Sequence, residues 1–258
     1  MIPKLLHYCW FGENEIPAKE QKCIASWKKI LPDFEIKLWN EKTFDVNICK
    51  YCSEAYKTKN YAFVSDYVRA YVLYKYGGIY LDTDVELFEG FRELFLEETK
   101  GFVGFERKSF IGTAVIAALP GNNTIQSLLE YYNSRSFLDK SGRSNIIANT
   151  SILTDILVKK GLVLGGQQQN LDGLKIFDRE SFYPKKLEDG SFKITDKTLA
   201  VHRFSNSWLT DKERRRGTNK VWINFCRPVL KEARKFLLKI CGKDRTEQFE
   251  IKLRNIMR

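Results

Sequence analysis

The chain has 258 residues, 43% of them hydrophobic and 29% charged, the balance of a soluble globular protein with room for one large domain or two small ones. No apolar run reaches bilayer length, since the longest uncharged stretch, Phe110 to Leu129, is broken by Pro120, Gly121, Asn122 and Asn123. The net charge of +11 is uneven: residues 211–258 hold 15 Lys or Arg against 6 Asp or Glu and carry +9 of it, so long-range attraction for anions sits at that end.

In chain order, "IPKLLHYCWFG" reads as a buried first strand ending in aromatic residues and a glycine. It is too short for a signal peptide and meets Glu13 without a small-residue cleavage site, so a cytoplasmic protein is expected. Pro17 to Ile30 is a helix, with Ala18, Cys23, Ile24 and Trp27 or Ile30 at helical spacing. "FEIKLWN" alternates Phe34, Ile36 and Leu38 against Glu35 and Lys37, a strand with one wet face. Cys49 and Cys52 form a single C-x-x-C. With no second pair and only two histidines, His7 and His202, a structural zinc cluster lacks ligands and reduced thiols are expected.

Tyr61 to Tyr76 has no helix breaker and stops at Gly77-Gly78, where glycine can close a helix in the left-handed conformation. Its apolar residues lie on every face, which predicts an enclosed helix. Asp66 and Arg69, three apart, share one face. They are either an ion pair at a wet edge or buried charges that need partners, such as a polar ligand in a cavity. The strand "IYLD" follows. If extension continues through Thr83, Asp82 and Asp84 project to one side and offer hard oxygen ligands for Mg²⁺ or Mn²⁺. "GFVGFE" and "TAVIAAL" are further strands, and Asn123 to Ser134 and Ser151 to Lys160 further helices. Strands alternating with helices give an α/β fold with a parallel or mixed sheet. Between Lys220 and Lys243, Val221, Trp222, Phe225, Val229, Phe236, Leu237 and Ile240 alternate with basic residues. This is a basic amphipathic helix that either lies on anionic lipid or packs on its own domain.

Three stretches together, "IPKLLHYCWFG", "YAFVSDYVRAYVLYKYGGIYLDTDVELF" and "AVHRFSNSW", resemble the family 32 glycosyltransferases with a DXD sugar-binding region, among them bacterial capsule and O-antigen transferases. More distantly, the chain is similar to the glucosylating domains of large clostridial toxins. The resemblance spans roughly residues 1–210 and implies a GT-A domain there, followed by a basic helical segment over 211–258. It further implies a UDP-sugar donor with Mn²⁺ (or Mg²⁺), transfer with retention, and a glycan acceptor linked to undecaprenyl diphosphate; a protein-glycosylating transferase and a non-catalytic nucleotide-sugar-binding module are the alternative readings. The protein is expected to be cytoplasmic, peripheral on the inner face of the membrane if the basic segment meets lipid, with no nucleic-acid partner. By that resemblance Asp66 and Arg69 face the donor sugar and diphosphate, Asp82 joins the sugar to the metal region, and Asp84 and His202 ligate the metal. Trp10 stacks on the base, Asn206 or Ser207 adds a ligand oxygen, and Trp208 closes over the diphosphate through its indole N–H. The segment often reads His-His in the family. Here the second position is Arg203, and His202 otherwise reads as a structural histidine.

Overall fold

The structure, a computed structural model, describes residues 1–96 and 98–205, and beyond them positions 219, 225, 228–230, 232–233, 237, 240 and 242. By its contacts the chain divides into Met1–Ser205 and Asn206–Arg258. The first unit holds every element discussed below. The basic helix expected after residue 210 lies almost entirely outside the described residues.

The first unit runs β1 (Leu5–Cys9), α1 (Ala18–Ile30), β2 (Glu35–Trp39), α2 (Lys50–Lys57), α3 (Tyr61–Tyr76), β3 (Gly78–Leu81) and β4 (Val85–Leu87). A short 3-10 helix (Glu89–Phe95) leads to β5 (Gly101–Arg107), β6 (Phe110–Ala118), α4 (Asn123–Asn133), α5 (Asn149–Lys159), β7 (Gln169–Leu171), β8 (Leu174–Phe177), α6 (Arg179–Phe182) and β9 (Ala200–His202). Seven strands form one mixed sheet in the order β2-β1-β3-β6-β5-β8-β7. Within it β1 is parallel to β2 and β3, and β5 to β8, while β6 and β7 run antiparallel to their neighbours. This is the expected α/β class.

The pleat sorts the side chains into two cores, because successive residues of a strand point to opposite faces. In β3, Ile79 and Leu81 join Leu6, Trp27, Phe91 and Phe102 on one face, under α1 and α6. Tyr80 joins Val64, Val68, Leu128 and Leu153 on the other, under α2 to α5. The sixteen residues of α3 are those expected, with Val64, Tyr67, Val68, Ala70, Val72 and Leu73 buried. The helix ends because Gly77 takes φ 64° and its N–H returns to the Leu73 carbonyl. Gly78 has φ 93°, and a Cβ there would lie 2.4 Å from the Leu5 carbonyl oxygen. Two glycines are therefore what lets the chain leave α3 and lie directly against β1 as β3.

Candidate active site

Asp66 and Arg69 sit on the sheet-facing side of α3. Arg69 is 4% exposed, and a buried guanidinium must be paired. Its Nη2 donates to Asp82 Oδ1 at 2.7 Å, its Nη1 lies 3.3 Å from Asp66 Oδ1, and its guanidinium carbon is 4.5 Å from the centre of the Tyr80 ring. Burial works against its charge, but Asp82, Tyr80 and Asp66 together raise its pKa well above the ordinary value. The expected i,i+3 pair is therefore one arm of a buried fork that ties the middle of α3 to the end of β3. It is not a wet-edge ion pair.

Asp66 carries the cost of this arrangement. Burial pushes its carboxyl up to about 6, the negative Asp82 adds to that, and Arg69 and the Asn149 amide oppose it.

Extension, the condition for strand alternation to set Asp82 and Asp84 on one side, does not continue past Leu81. The Val85 N–H donates to the Asp82 carbonyl at 3.0 Å, closing a turn through Thr83 and Asp84, while the Asp82 N–H is held by the Ala114 carbonyl. The carboxylates converge through that turn and not through strand alternation. A second, two-stranded sheet locks it: β9 pairs antiparallel with β4, setting His202 opposite Val85 and Val201 opposite Glu86. Beyond β9, the Arg203 N–H takes the Asp84 carbonyl at 2.9 Å and the Ser205 N–H takes Asp84 Oδ2 at 2.7 Å. The other side of β4 is fastened to α1, where the Trp27 indole N–H donates to the Val85 carbonyl and the Ser26 hydroxyl accepts from the Leu87 N–H.

His202 Nε2 consequently lies 3.2 Å from Asp84 Oδ1. Burial pulls the imidazole pKa down, but the Asp84 hydrogen bond and charge outweigh it and the net shift is upward. Burial pushes Asp84 up, yet His202 and the Ser205 N–H leave it below the usual carboxylate value. One ligand atom each of Asp82, Asp84 and His202 lie within 4.8 Å of one another. The other imidazole nitrogen, Nδ1, is buried with no hydrogen-bond partner among the described residues. Two hard carboxylates and an imidazole with one orphaned ring nitrogen fit a divalent cation of the Mn²⁺ or Mg²⁺ kind.

Arg203, next in the chain after His202, turns elsewhere: its guanidinium pairs with Glu86 and lies 6.0 Å from the centre of the Phe192 ring. Trp10 follows β1 at the same sheet edge as Asp82. It is half-buried, with its indole N–H donating to the Asn14 carbonyl at 2.7 Å. Asn206, Ser207 and Trp208 lie outside the described residues. The described cysteines, Cys9, Cys23, Cys49 and Cys52, are free thiols. Residues not singled out from sequence also build the site. Tyr80 receives Arg69 on its ring, and Asn149 at the start of α5 donates to Asp66 at 3.0 Å.

A protein from Schizosaccharomyces pombe, inositol phosphoceramide mannosyltransferase 3, is 38% identical over 92 residues, covering 33% of this chain and 24% of its own. The chain thus spans about a quarter of that relative. An uncharacterized glycosyltransferase, L373, of Acanthamoeba polyphaga mimivirus is 27% identical over 217 residues, 81% of this chain and 84% of its own. Among solved structures, the PaToxG glycosyltransferase is 22% identical with a TM-score of 0.49 over 62% of this chain and 70% of its own. The galactosyltransferase LgtC, in complex with donor and acceptor sugar analogs, is 12% identical with a TM-score of 0.42 over 77% and 86%. Residues 17–100, the span that holds Asp66, Arg69, Asp82 and Asp84, match the family described as the glycosyltransferase sugar-binding region containing a DXD motif, and Asp82-Thr83-Asp84 is the DXD of this chain.

Proposed function

We propose that the chain is a metal-dependent, retaining glycosyltransferase of the GT-A type that moves a hexose, of galactose or glucose type, from a UDP-sugar to a glycan acceptor. One observation carries the reading. The ligand cluster of Asp82, Asp84 and His202 adjoins the buried Asp66–Arg69–Asp82 fork, so groups suited to a cation and groups suited to a sugar diphosphate are side by side. Bound there, Mn²⁺ or Mg²⁺ supplies electrostatic stabilisation of the departing nucleoside diphosphate. Asp82, Asp84 and His202 would hold it. Asp66 would accept hydrogen bonds from sugar hydroxyls, Arg69 would keep Asp66 and Asp82 in register, and Trp10 would carry the base.

In a front-face course the acceptor oxygen bonds to the anomeric carbon as its bond to the diphosphate breaks. The acceptor proton passes to the departing phosphate oxygen, so no further carboxylate is required as base. The +9 charge of residues 211–258 supports an acceptor presented at an anionic surface, such as a capsule or O-antigen repeat unit on undecaprenyl diphosphate at the inner membrane face. None of the described helices is long and apolar enough to cross a membrane.

The name of the fission-yeast relative favours one second reading, a mannosyl donor. Calorimetric titration of UDP-galactose, UDP-glucose, their N-acetyl analogues and GDP-mannose, each with and without Mn²⁺, separates the donors. Asp84→Ala should abolish the Mn²⁺ dependence of binding and lower transfer by roughly a hundredfold or more. Near-normal turnover of that variant in Mn²⁺-supplemented buffer sinks the metal assignment.

A further inference from the structure

Asp66 is held from 83 positions away in sequence. Asn149, the first residue of α5, is 5% exposed and donates from Nδ2 to Asp66 Oδ1 at 3.0 Å. Its own Oδ1 accepts the hydroxyl of the fully buried Tyr132 at 3.0 Å. Burial, with the charge of Asp66 adding to it, pushes the Tyr132 phenol well above its ordinary pKa, so the phenol keeps its proton and donates it. An amide whose oxygen is taken by a hydroxyl proton can offer only its NH₂ to Asp66, so Tyr132 fixes which way Asn149 faces.

Arg69 Nη1 uses the same oxygen of Asp66, at 3.3 Å. Among the described residues no hydrogen bond uses Asp66 Oδ2. Two donors on one oxygen leave the other as the free acceptor.

We propose that Asn149, oriented by Tyr132, is a positioning residue that pins Asp66 by Oδ1 and so presents Oδ2 to a hydroxyl of the donor sugar. The inference rests on Asp66 facing the sugar, as argued above. It also assigns a task to the juncture of α3, α4 and α5, which otherwise reads as packing alone.

The affinities of UDP, UDP-glucose and UDP-galactose, each with Mn²⁺, test it in the wild type and in Asn149→Ala, Asn149→Asp and Tyr132→Phe. A hydrogen bond to a charged group supports a loss of about tenfold to hundredfold. That loss should appear for the nucleotide sugar and not for UDP, whose affinity should stay within about twofold. Tyr132→Phe, which frees the amide to turn, should lose less in the same direction. Asn149→Asp keeps the shape, sets a second carboxyl against Asp66 in place of the amide, and serves if the alanine variant does not fold. UDP and UDP-sugar weakening together would make Asn149 a structural tie and overturn the inference, as would no change in either. Wild-type protein that binds UDP but neither sugar nucleotide, or no nucleotide at all, removes the reading of Asp66 and this inference with it. That outcome is visible before any variant is made.

Discussion

Replacing Asp66 by Asn should make the protein more stable at neutral pH while disabling it. In the fold the carboxyl titrates at about 6, against 3.8 for an ordinary aspartate. A carboxyl raised in the fold weakens it as pH increases: below 3.8 both states hold the proton and there is no penalty. Through and above about 6 the native state must hold a buried charge that the unfolded chain exposes to water. At roughly 1.4 kcal/mol per pH decade, the full penalty at neutral pH is about 3 kcal/mol. Asn149 still finds an oxygen acceptor on the amide of Asp66→Asn, so the penalty is removed with one hydrogen bond kept. Urea unfolding of both proteins in EDTA, from about pH 4 to about pH 7.5, reads the difference between them. That difference should move in the variant's favour by about 2 kcal/mol over this interval, the remainder lying below it. Transfer activity should fall at every pH, because the amide offers a sugar hydroxyl only a neutral acceptor. Parallel unfolding curves with a pH-independent offset would refute the reasoning, since Asp66 would then titrate alike in both states.

His7 should act in the opposite sense. It is fully buried, accepts the Trp39 indole N–H on Nδ1 and donates Nε2–H to the Gly77 carbonyl. Burial depresses its pKa to about 4 from 6.5, only partly offset by that carbonyl. Its contribution, about 3 kcal/mol, is present above 6.5 and lost as pH falls toward 4, a slope in denaturant unfolding that His7→Gln should flatten. Gly112→Ala tests the packing behind the site, because a Cβ there would fall 2.2 Å from Tyr183 Cζ. Overpacking of this kind costs about 1–3 kcal/mol, and an unchanged melting temperature would show that Tyr183 can move aside.

What the sequence made legible follows from how far its signals reach. The whole of α3, its glycine stop and β3 are written in adjacent residues: sixteen without a breaker, then two glycines whose φ values only glycine accepts without strain. The pairing of Asp66 with Arg69 follows from helical spacing, but not its extension to Asp82 thirteen residues on, which depends on β3 doubling back under the helix. The turn at Thr83-Asp84 was hidden because alternation ends where the backbone turns, and Asp-Thr-Asp fits either state. β4 and β9 have three residues each, too few to show a period, so the register that brings His202 to Asp84 could not be read locally. Asn149 carries the plainest mask of all. An asparagine at the start of a helix reads as a cap, and only the packed juncture of α3, α4 and α5 reveals its other partner.

The opening of the chain's densest apolar stretch to four charges becomes intelligible when the charges are counted together. Asp66 and Asp82 share one guanidinium, Arg69, and Asp84 lies against His202, so with the imidazole neutral and all three carboxylates ionised two negative charges are left over. A fold selected for stability alone would not keep that surplus, since buried charge without a partner is expensive and apolar replacements are often as stable. The surplus sits where the backbone has been fastened most heavily. The Asp84 carbonyl and carboxylate each take an N–H from the segment after β9, and the Val85 carbonyl takes an indole N–H from α1. Rigid walls around an uncompensated charge favour a ligand that brings the missing charge over one that must first organise the site. On the proposed function, a divalent cation would bring two positive charges and a sugar diphosphate would bring negative charge back. On this account the apolar surroundings and the four charges are one device. Tyr80, Val64, Val68 and their neighbours exclude water, and a low local dielectric lets a few fixed charges discriminate strongly between an ion that completes them and solvent that does not.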